Sequence, residues 1–302
     1  MIARKLGKGS EDSLYLSKNS RESILKRLKS ALCSDLEIIL QQSSNTSQPV
    51  DPFRVRKIGK AEVTVVYVPR MEISAEGSVE ANSSGFLIRI DERLLSHEVR
   101  LRSTMTHELM HTFFYDVEQL PPRRLGDQSV TRKEFIMMEE LCYYLSRQFL
   151  VPTTSLKNLM SKMKHLQTPS MRNLSYLKST YDVSSEIIGY RVITDLTIWD
   201  TMFVKFKGWG SSFRWSTILK YGPNKLYDGF HTPRLLPTNS LDPWKNQISN
   251  HILNVVEHGE FQEIISIKKR KEERYVALES VLVERTNGKH PDIVTLAYEL
   301  KD

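Results

Sequence analysis

Two neighbouring segments with helical periodicity constrain the fold of this chain more than any other feature of its sequence. The first is predicted from about residue 100 to 115 and the second from 131 to 152, with a Pro-Pro pair between them that breaks the chain. Thr131 and Glu134 have the spacing of a capping box, and Pro152 predicts the end of the second helix. Apolar residues follow at helical spacing, at Phe135, Met138, Leu141, Cys142, Leu145 and Phe149. We expect the second helix to return antiparallel to the first.

The first helix carries the residues HELMH at positions 107–111. Residues four apart lie on the same helix face one turn along, so His107 and His111 can reach one metal ion. Neutral imidazole nitrogen suits zinc, and Glu108 lies close enough to serve as general base and then general acid. The motif therefore predicts a catalytic zinc site. The alternative is a surface helix with two solvated histidines, because a motif this short also arises by chance.

A catalytic zinc site needs a third protein ligand and an open fourth position. Phe114 and Val117 stand where the longer pattern HExxHxxGxxH requires Gly and His, so the third ligand must come from elsewhere. The second helix offers Glu139 or Glu140. Helical geometry favours Glu139, which borders the apolar stripe, while Glu140 is turned about 100° away. An ordinary solvated acidic pair is the alternative.

Four other residues near the two helix motifs are candidates for a role in the site. Cys142 falls within the apolar stripe, and packing is the favoured interpretation. Tyr143, Tyr144 or His97 would suit an oxyanion-stabilising role, but nothing in the sequence brings any of them to the required distance. None of these three is therefore predicted to be catalytic.

Composition excludes several classes of protein. The hydrophobic fraction of 40% and the charged fraction of 26% are typical of a globular chain, and the net charge of +7 permits an acidic partner without requiring one. Two cysteines are too few for a disulfide framework, the first residues lack the apolar core of a signal peptide, and no apolar run is long enough to cross a membrane. We expect a cytoplasmic protein without a membrane partner.

The remaining segments are assigned from local pattern. Strands are predicted at 63–68 and 85–90, with EGSVEANSSG between them as a turn or loop, and an amphipathic helix is predicted from 24 to about 40. After residue 200, strand-like segments and one helical segment indicate a mixed α/β domain. The charge run KKRKEER at 268–274 predicts a solvated hairpin tip.

The two helices resemble those of the ImmA/IrrE family of metallo-endopeptidases. The first helix of that family reads RFTxAHELGH, and RSTMTHELMH departs from it at Thr106 and Met110 without losing a ligand. The second reads ExxANxFAxxLLMP, and EELCYYLSRQFLVP aligns Glu139 with its first Glu and Cys142 with its small residue. PVDPF at 49–53 and YDVSSEIIGYRVI at 181–193 are similar to further family segments, so the resemblance covers about residues 45–195.

The resemblance implies an α+β fold, a ligand set and a substrate class. Zinc would be held by His107, His111 and Glu139, although Mn²⁺ accepts the same ligands. The substrate would be a helix-turn-helix repressor of a stress-response or mobile-element switch. It would add as a strand on the sheet edge formed by Phe86, Leu87, Ile88, Arg89 and Ile90, for which plain core β-structure is the equal alternative.

The implied domains are a helical extension (1–44), a zincin-like peptidase domain (45–155), a helical segment similar to a helix-turn-helix (156–199) and a GAF-like sensor domain (200–302). The helical segment is interpreted either as a contact for DNA or repressor or, preferably, as a hairpin that braces the peptidase. Two competing functions remain. One is a regulatory module that binds a repressor or DNA without cutting it, and the other is a general degradative protease.

Overall fold

The computed structural model describes residues 28–29, 32–33, 36–37, 39–41, 48–69, 71, 75–125, 131–209, 212–220, 235–236, 243–269, 272–283 and 292–299. The chain forms two compact units, one of Met1–Pro152 with Tyr181–Val183 and one of Thr153–Thr180 with Ser184–Asp302. The fold is of the α+β class with small sheets, as predicted. The zincin-like and GAF-like assignments and the division into four parts remain predictions.

The N-terminal unit contains a four-stranded sheet of β1 (Lys57–Ile58), β2 (Ala61–Val68), β3 (Gly77–Ala81) and β4 (Gly85–Asp91). The strand order is β1-β2-β4-β3, with β2 parallel to β4 and β3 antiparallel to it. The predicted strands at 63–68 and 85–90 are confirmed. The predicted loop between them was wrong, because β3 occupies part of it. The residues GSVEA have weak strand preference by themselves, and pairing with β4 supplies the hydrogen bonds that hold them extended.

The position of β4 contradicts the prediction that Phe86–Ile90 form an edge strand and agrees with the alternative, core β-structure. These residues were proposed as an edge strand, but β4 is paired on both sides and is internal. Phe86, Ile88 and Ile90 are buried. The reason is a tight turn in which Asn82 Oδ1 accepts hydrogen bonds from the backbone of Ser84 and Gly85, at 3.0 and 2.9 Å. This turn folds β3 back along β4, so β3 becomes the edge of the sheet.

Two helices pack beside this sheet. Helix α1 (Glu98–His111) ends four residues earlier than predicted and continues as a 3-10 turn, Thr112–Phe114. Helix α2 (Arg132–Leu150) begins at the predicted capping box, which is confirmed in both directions, and its predicted stripe is buried at Leu141, Cys142, Leu145 and Phe149. Phe135, predicted to belong to that stripe, is 53% exposed. Short antiparallel strands, β5 (Tyr115–Asp116) and β6 (Arg123–Arg124), lie between the helices in the chain.

Helix α1 is held in place by a buried arginine. Arg102 donates a hydrogen bond from Nη2 to the backbone oxygen of Val50 at 2.7 Å, and its Nη1 contacts the backbone oxygen and carboxylate of Asp182. A buried guanidinium is tolerated only when its donors are paired, so these contacts fix α1 against segments far apart in the sequence. The described residues between 28 and 41 are helical, as predicted, and Leu28, Leu32, Leu36 and Ile39 among them are buried.

The C-terminal unit combines helices with a six-stranded antiparallel sheet. Its helices are α3 (Thr153–Lys162), α4 (Met171–Tyr181), α5 (Ser185–Gly189, continued as a π-helix Tyr190–Asp195) and α6 (Pro243–His258). Its strands are β7 (Met202–Trp209), β8 (Ser212–Lys220), β9 (Leu235–Leu236), β10 (Glu260–Lys269), β11 (Glu272–Val283) and β12 (Asp292–Glu299), in the order β10-β11-β12-β7-β8-β9. Helix α6 buries Ile248, Ile252 and Val255 in the core of this sheet.

The predicted hairpin at the charge run 268–274 is confirmed, because β10 and β11 pair up to Lys269 and Glu272. The tip itself, residues 270–271, lies outside the described residues. None of the helices in the described part of the chain has the combination of length and apolarity needed to cross a lipid bilayer.

Candidate metal centre

Helices α1 and α2 bring three predicted residues together. His107 Nε2 lies 3.2 Å from His111 Nε2 and 3.2 Å from an oxygen of Glu139, and His111 Nε2 lies 3.3 Å from the other oxygen of Glu139. Glu140 lies elsewhere, 3.8 Å from Lys29 Nζ. The structure therefore brings Glu139, and not Glu140, to the two imidazoles, because one step along a helix turns a side chain by about 100°.

Burial keeps both imidazoles in the form that binds metals. It lowers the pKa of His111 to about 4, with further lowering from His107 and Arg124. Burial also lowers the pKa of His107, against the opposing effect of the Glu139 carboxylate. Both rings are therefore neutral near pH 7, and each has a nitrogen lone pair to offer.

The donor set fits a metal ion. His107, His111 and Glu139 each offer one ligand atom, and these atoms all lie within 4.8 Å of one another. Within the described ranges, this is the one group of three or more His, Cys, Asp or Glu side chains that meets this condition. Two neutral nitrogens and one carboxylate are a common donor set for divalent metals, so this cluster can hold such an ion.

Glu108 lies in the same groove as the three candidate ligands. Its side chain is buried, and burial, with a smaller contribution from the charge of Glu139, raises the pKa of its carboxyl to about 7. A carboxyl group with a pKa near neutrality exchanges protons readily at physiological pH. Glu108 can therefore accept and release a proton near neutral pH beside the three candidate ligands.

The groove has a volume of about 730 Å³, and β3, α1 and α2 contribute to its walls. Gly77 lies so close to α1 that a Cβ atom in its place would stand 2.8 Å from Cγ of Glu108 and 2.9 Å from Cγ2 of Thr104. Only glycine permits this approach of the edge strand. The role of Gly77 could not be predicted from the sequence, because it depends on a strand that local pattern did not predict.

Phe135 and Tyr143 also line the groove, on either side of Glu139 along α2. They were missed as groove residues, although a signal existed, since positions four before and four after a ligand lie on its helix face. The predicted substrate residues Phe86–Ile90 do not line the groove.

Of the three residues named for oxyanion stabilisation, Tyr143 lines the groove, and Tyr144 and His97 do not. Tyr143 packs its ring 4.4 Å from that of His107 and reaches the groove. Tyr144 points to other partners, accepting a hydrogen bond from Gln148 Nε2 at 3.0 Å and lying under the ammonium group of Lys29. His97 precedes the first turn of α1 and is not among the lining residues of the groove.

Comparison with known proteins assigns neither a family nor a function to this chain. A scan against protein-family models gives no match to this chain, and a search of curated proteins also finds none. The resemblance to the ImmA/IrrE family therefore stays a prediction carried by the helix motifs.

Proposed function

We propose that this chain is a zinc-dependent endopeptidase, with His107, His111 and Glu139 as metal ligands and Glu108 as the acid-base. The observation that carries the proposal is the convergence of donor atoms from α1 and α2: the two Nε2 atoms lie 3.2 Å apart, and His107 and His111 lie 3.2 and 3.3 Å from different oxygens of Glu139. A tetrahedral zinc ion with bonds of about 2.0–2.2 Å has ligand atoms roughly 3.3–3.6 Å apart, which is close to the separation of the two imidazole nitrogens. Manganese is the alternative ion, because histidine and carboxylate ligands accept both metals.

The chemistry assigned to the protein itself is proton transfer. The ion, when bound, supplies Lewis-acid chemistry that makes water more acidic and a peptide carbonyl more electrophilic. Glu108 takes a proton from the attacking water and then gives that proton to the nitrogen of the departing amine, so its carboxyl ends in its starting state. The raised pKa of Glu108, about 7, supports both steps near neutral pH.

The groove favours an extended peptide as substrate. Among the residues that the structure describes, strand β3 pairs only with β4, and three of its residues line the groove, so its other edge can accept a peptide as an added strand. Phe135 and Tyr143 are 53% and 56% exposed beside Glu139. Exposed rings next to the reacting centre favour bulky apolar side chains near the scissile bond.

The broader assignments depend on the family resemblance. A short sheet beside two ligand-bearing helices supports a zincin-like peptidase domain, and the antiparallel sheet of the C-terminal unit is compatible with a GAF-like sensor. The substrate is then a helix-turn-helix repressor, in the cytoplasm, and its cleavage releases stress-response or mobile-element genes. A module that binds a repressor or DNA without cutting it is the competing function.

One experiment separates these functions. Purified protein should contain about one zinc per chain and should cut the repressor encoded beside its own gene. Glu108→Gln should keep the metal and lose cleavage by about 10²- to 10⁴-fold, the usual contribution of a general acid-base. Glu140→Gln is the matched control for Glu139→Gln, since only the latter should release metal. Full regulatory activity of Glu108→Gln in cells would favour the binding module, and digestion of unfolded casein would favour a degradative protease.

A further inference from the structure

The two candidate histidine ligands differ in what orients their rings. A neutral imidazole that offers one nitrogen to a metal carries its proton on the other, and an acceptor for that proton fixes the ring. For His111, Nε2 faces His107 and Glu139, which leaves Nδ1 to carry the proton. Cys142 Sγ lies 3.4 Å from this Nδ1 atom. That distance suits an N–H···S hydrogen bond, because sulfur is larger than oxygen.

In the described part of the chain, His107 has no corresponding acceptor. Its Nδ1 atom is buried and has no hydrogen-bond partner among the residues that the structure describes. Its ring is held instead by packing against Tyr143, with ring centroids 4.4 Å apart. A side-chain acceptor therefore orients one ligand of the pair, and this acceptor is Cys142.

We infer that Cys142 is a positioning residue of the metal centre, whose sulfur accepts the Nδ1 proton of His111 and thereby aims Nε2 at the ion. Cys142 follows Glu139 by three residues, so a single face of α2 supplies both the third ligand and the acceptor behind the second. The sulfur lies on the far side of the ring from the ligand atoms, which makes it a partner of His111 and not a fourth ligand. The Cys142 side chain is fully buried, which keeps bulk water away from its sulfur.

Packing alone would explain a small buried residue at this position, and the test must exclude that explanation. Cys142→Ala and Cys142→Val both remove the acceptor, but one is smaller and the other larger than cysteine. Each should bind zinc about 10- to 100-fold more weakly than the unchanged protein in competition with a chelator, the usual effect of losing such a partner. Cys142→Ser should recover part of the loss, because a hydroxyl oxygen also accepts a hydrogen bond.

Ser146→Ala is the matched control. Ser146 is buried one turn further along α2, and its hydroxyl donates to the backbone oxygen of Cys142 at 2.7 Å without contacting His111. Its zinc affinity should stay within about twofold of the unchanged protein, since no partner of a ligand is lost. Zinc binding by Cys142→Ala and Cys142→Val as tight as in the unchanged protein would overturn the inference.

A second measurement needs no substitution. In zinc-loaded full-length protein with ¹⁵N-labelled histidine, NMR should find the ring proton of His111 on Nδ1, and a proton on Nε2 would overturn the inference. The inference depends on the metal centre of the proposed function and not on proteolysis. Tight zinc binding without peptide cleavage would therefore reject only the peptidase, whereas absence of zinc binding would reject both.

Discussion

Each of the two units of this chain contains a polar cluster built around histidine, and the clusters differ in what the ring nitrogens face. In the N-terminal unit, the Nε2 atoms of His107 and His111 converge with Glu139 at the wall of an open groove. In the C-terminal unit, His251 is 0% exposed and each of its ring nitrogens has one partner. Nδ1 lies 2.7 Å from the Glu263 carboxylate, and Nε2 lies 2.7 Å from the Ser280 hydroxyl.

The C-terminal cluster is a linear series of hydrogen bonds from Glu263 through His251 and Ser280 to Thr295. Burial lowers the pKa of His251 to about 4, so the ring is neutral at pH 7 and carries one proton. A carboxylate only accepts, so this proton lies on Nδ1 and is donated to Glu263. Nε2 then accepts from Ser280, whose oxygen accepts in turn from Thr295 Oγ1 at 2.7 Å. Both ring nitrogens of His251 and the Ser280 hydroxyl are therefore paired, which indicates a structural role in joining α6 to the sheet.

The comparison shows that a shifted pKa does not by itself identify a functional histidine. His111 and His251 share a pKa near 4, and burial is the main cause in both. The difference lies in the number of satisfied nitrogens and in access to solvent. Ring nitrogens whose lone pairs converge at a solvent-accessible point indicate a metal site. Ring nitrogens that are all hydrogen-bonded in a buried core indicate a structural role.

The largest expected effect concerns metal content. His107→Ala should lower the zinc content from about one ion per chain to about none, because two ligands rarely retain a catalytic metal. His251→Ala should leave the zinc content unchanged. Both contents are measured by elemental analysis after dialysis. Equal loss of zinc in the two variants would remove the distinction between the clusters.

The next effect is the pH dependence of stability in the C-terminal unit. The pKa of His251 is about 4 when folded and 6.5 when unfolded, so between these values the unfolded chain binds more protons. The free energy of unfolding should therefore fall by about 3 kcal/mol as pH drops from 6.5 to 4, since each pKa unit corresponds to about 1.4 kcal/mol.

His251→Gln should flatten that profile. All four tryptophans, from Trp199 onward, lie in the C-terminal unit, so urea unfolding followed by tryptophan fluorescence reports on it. Burial raises the pKa of Glu263, so protonation of this carboxyl at low pH stabilises the folded protein and opposes the effect of His251. The informative quantity is therefore the difference in the free energy of unfolding between the unchanged protein and His251→Gln. Parallel profiles would show that His251 is not the group responsible.

A smaller effect is expected for Gly77→Ala. The added Cβ would overlap Cγ of Glu108, and displacing a catalytic group slightly costs about 10-fold or more in kcat. Zinc content should not change, because the metal ligands are untouched. Glu80→Gln, on the same strand but outside the groove, should retain full activity. A kcat for Gly77→Ala equal to that of the unchanged protein would show that β3 does not constrain Glu108.

The smallest effect concerns substrate preference. Phe135→Ser should raise KM several-fold for peptides with a bulky apolar residue near the cleaved bond, since burying one such contact contributes about 1 kcal/mol. Ile136 is a matched control, because it is 47% exposed on the same helix but does not line the groove. Cleavage of a mixed peptide library by both variants measures the change. An equal shift for Ile136→Ser would point to a general effect on α2.

Local spacing was enough to predict the parts of the site that lie on one helix. His107, Glu108 and His111 follow from the period of the helix, and the capping box at Thr131 predicted where α2 begins. Glu139 was favoured because the apolar stripe of α2 indicated which face would meet α1. These predictions succeed because helical geometry depends on residues three or four apart in the chain.

The order of the strands could not be predicted in this way. GSVEA becomes a strand only through its pairing with β4, and Phe86–Ile90 become internal only because β3 folds back outside them. The exposure of Phe135 likewise depends on the groove that β3 and α2 enclose between them.

The sequence by itself determined the two helices, the donor atoms that they carry and the helix face on which those atoms lie. Only the tertiary structure decided which strand borders the groove, that Gly77 must lack a side chain, and that Cys142 stands behind His111. Helix periodicity is a local property, whereas strand pairing and contacts between helices join residues far apart in the chain and are set by the packing of the whole unit.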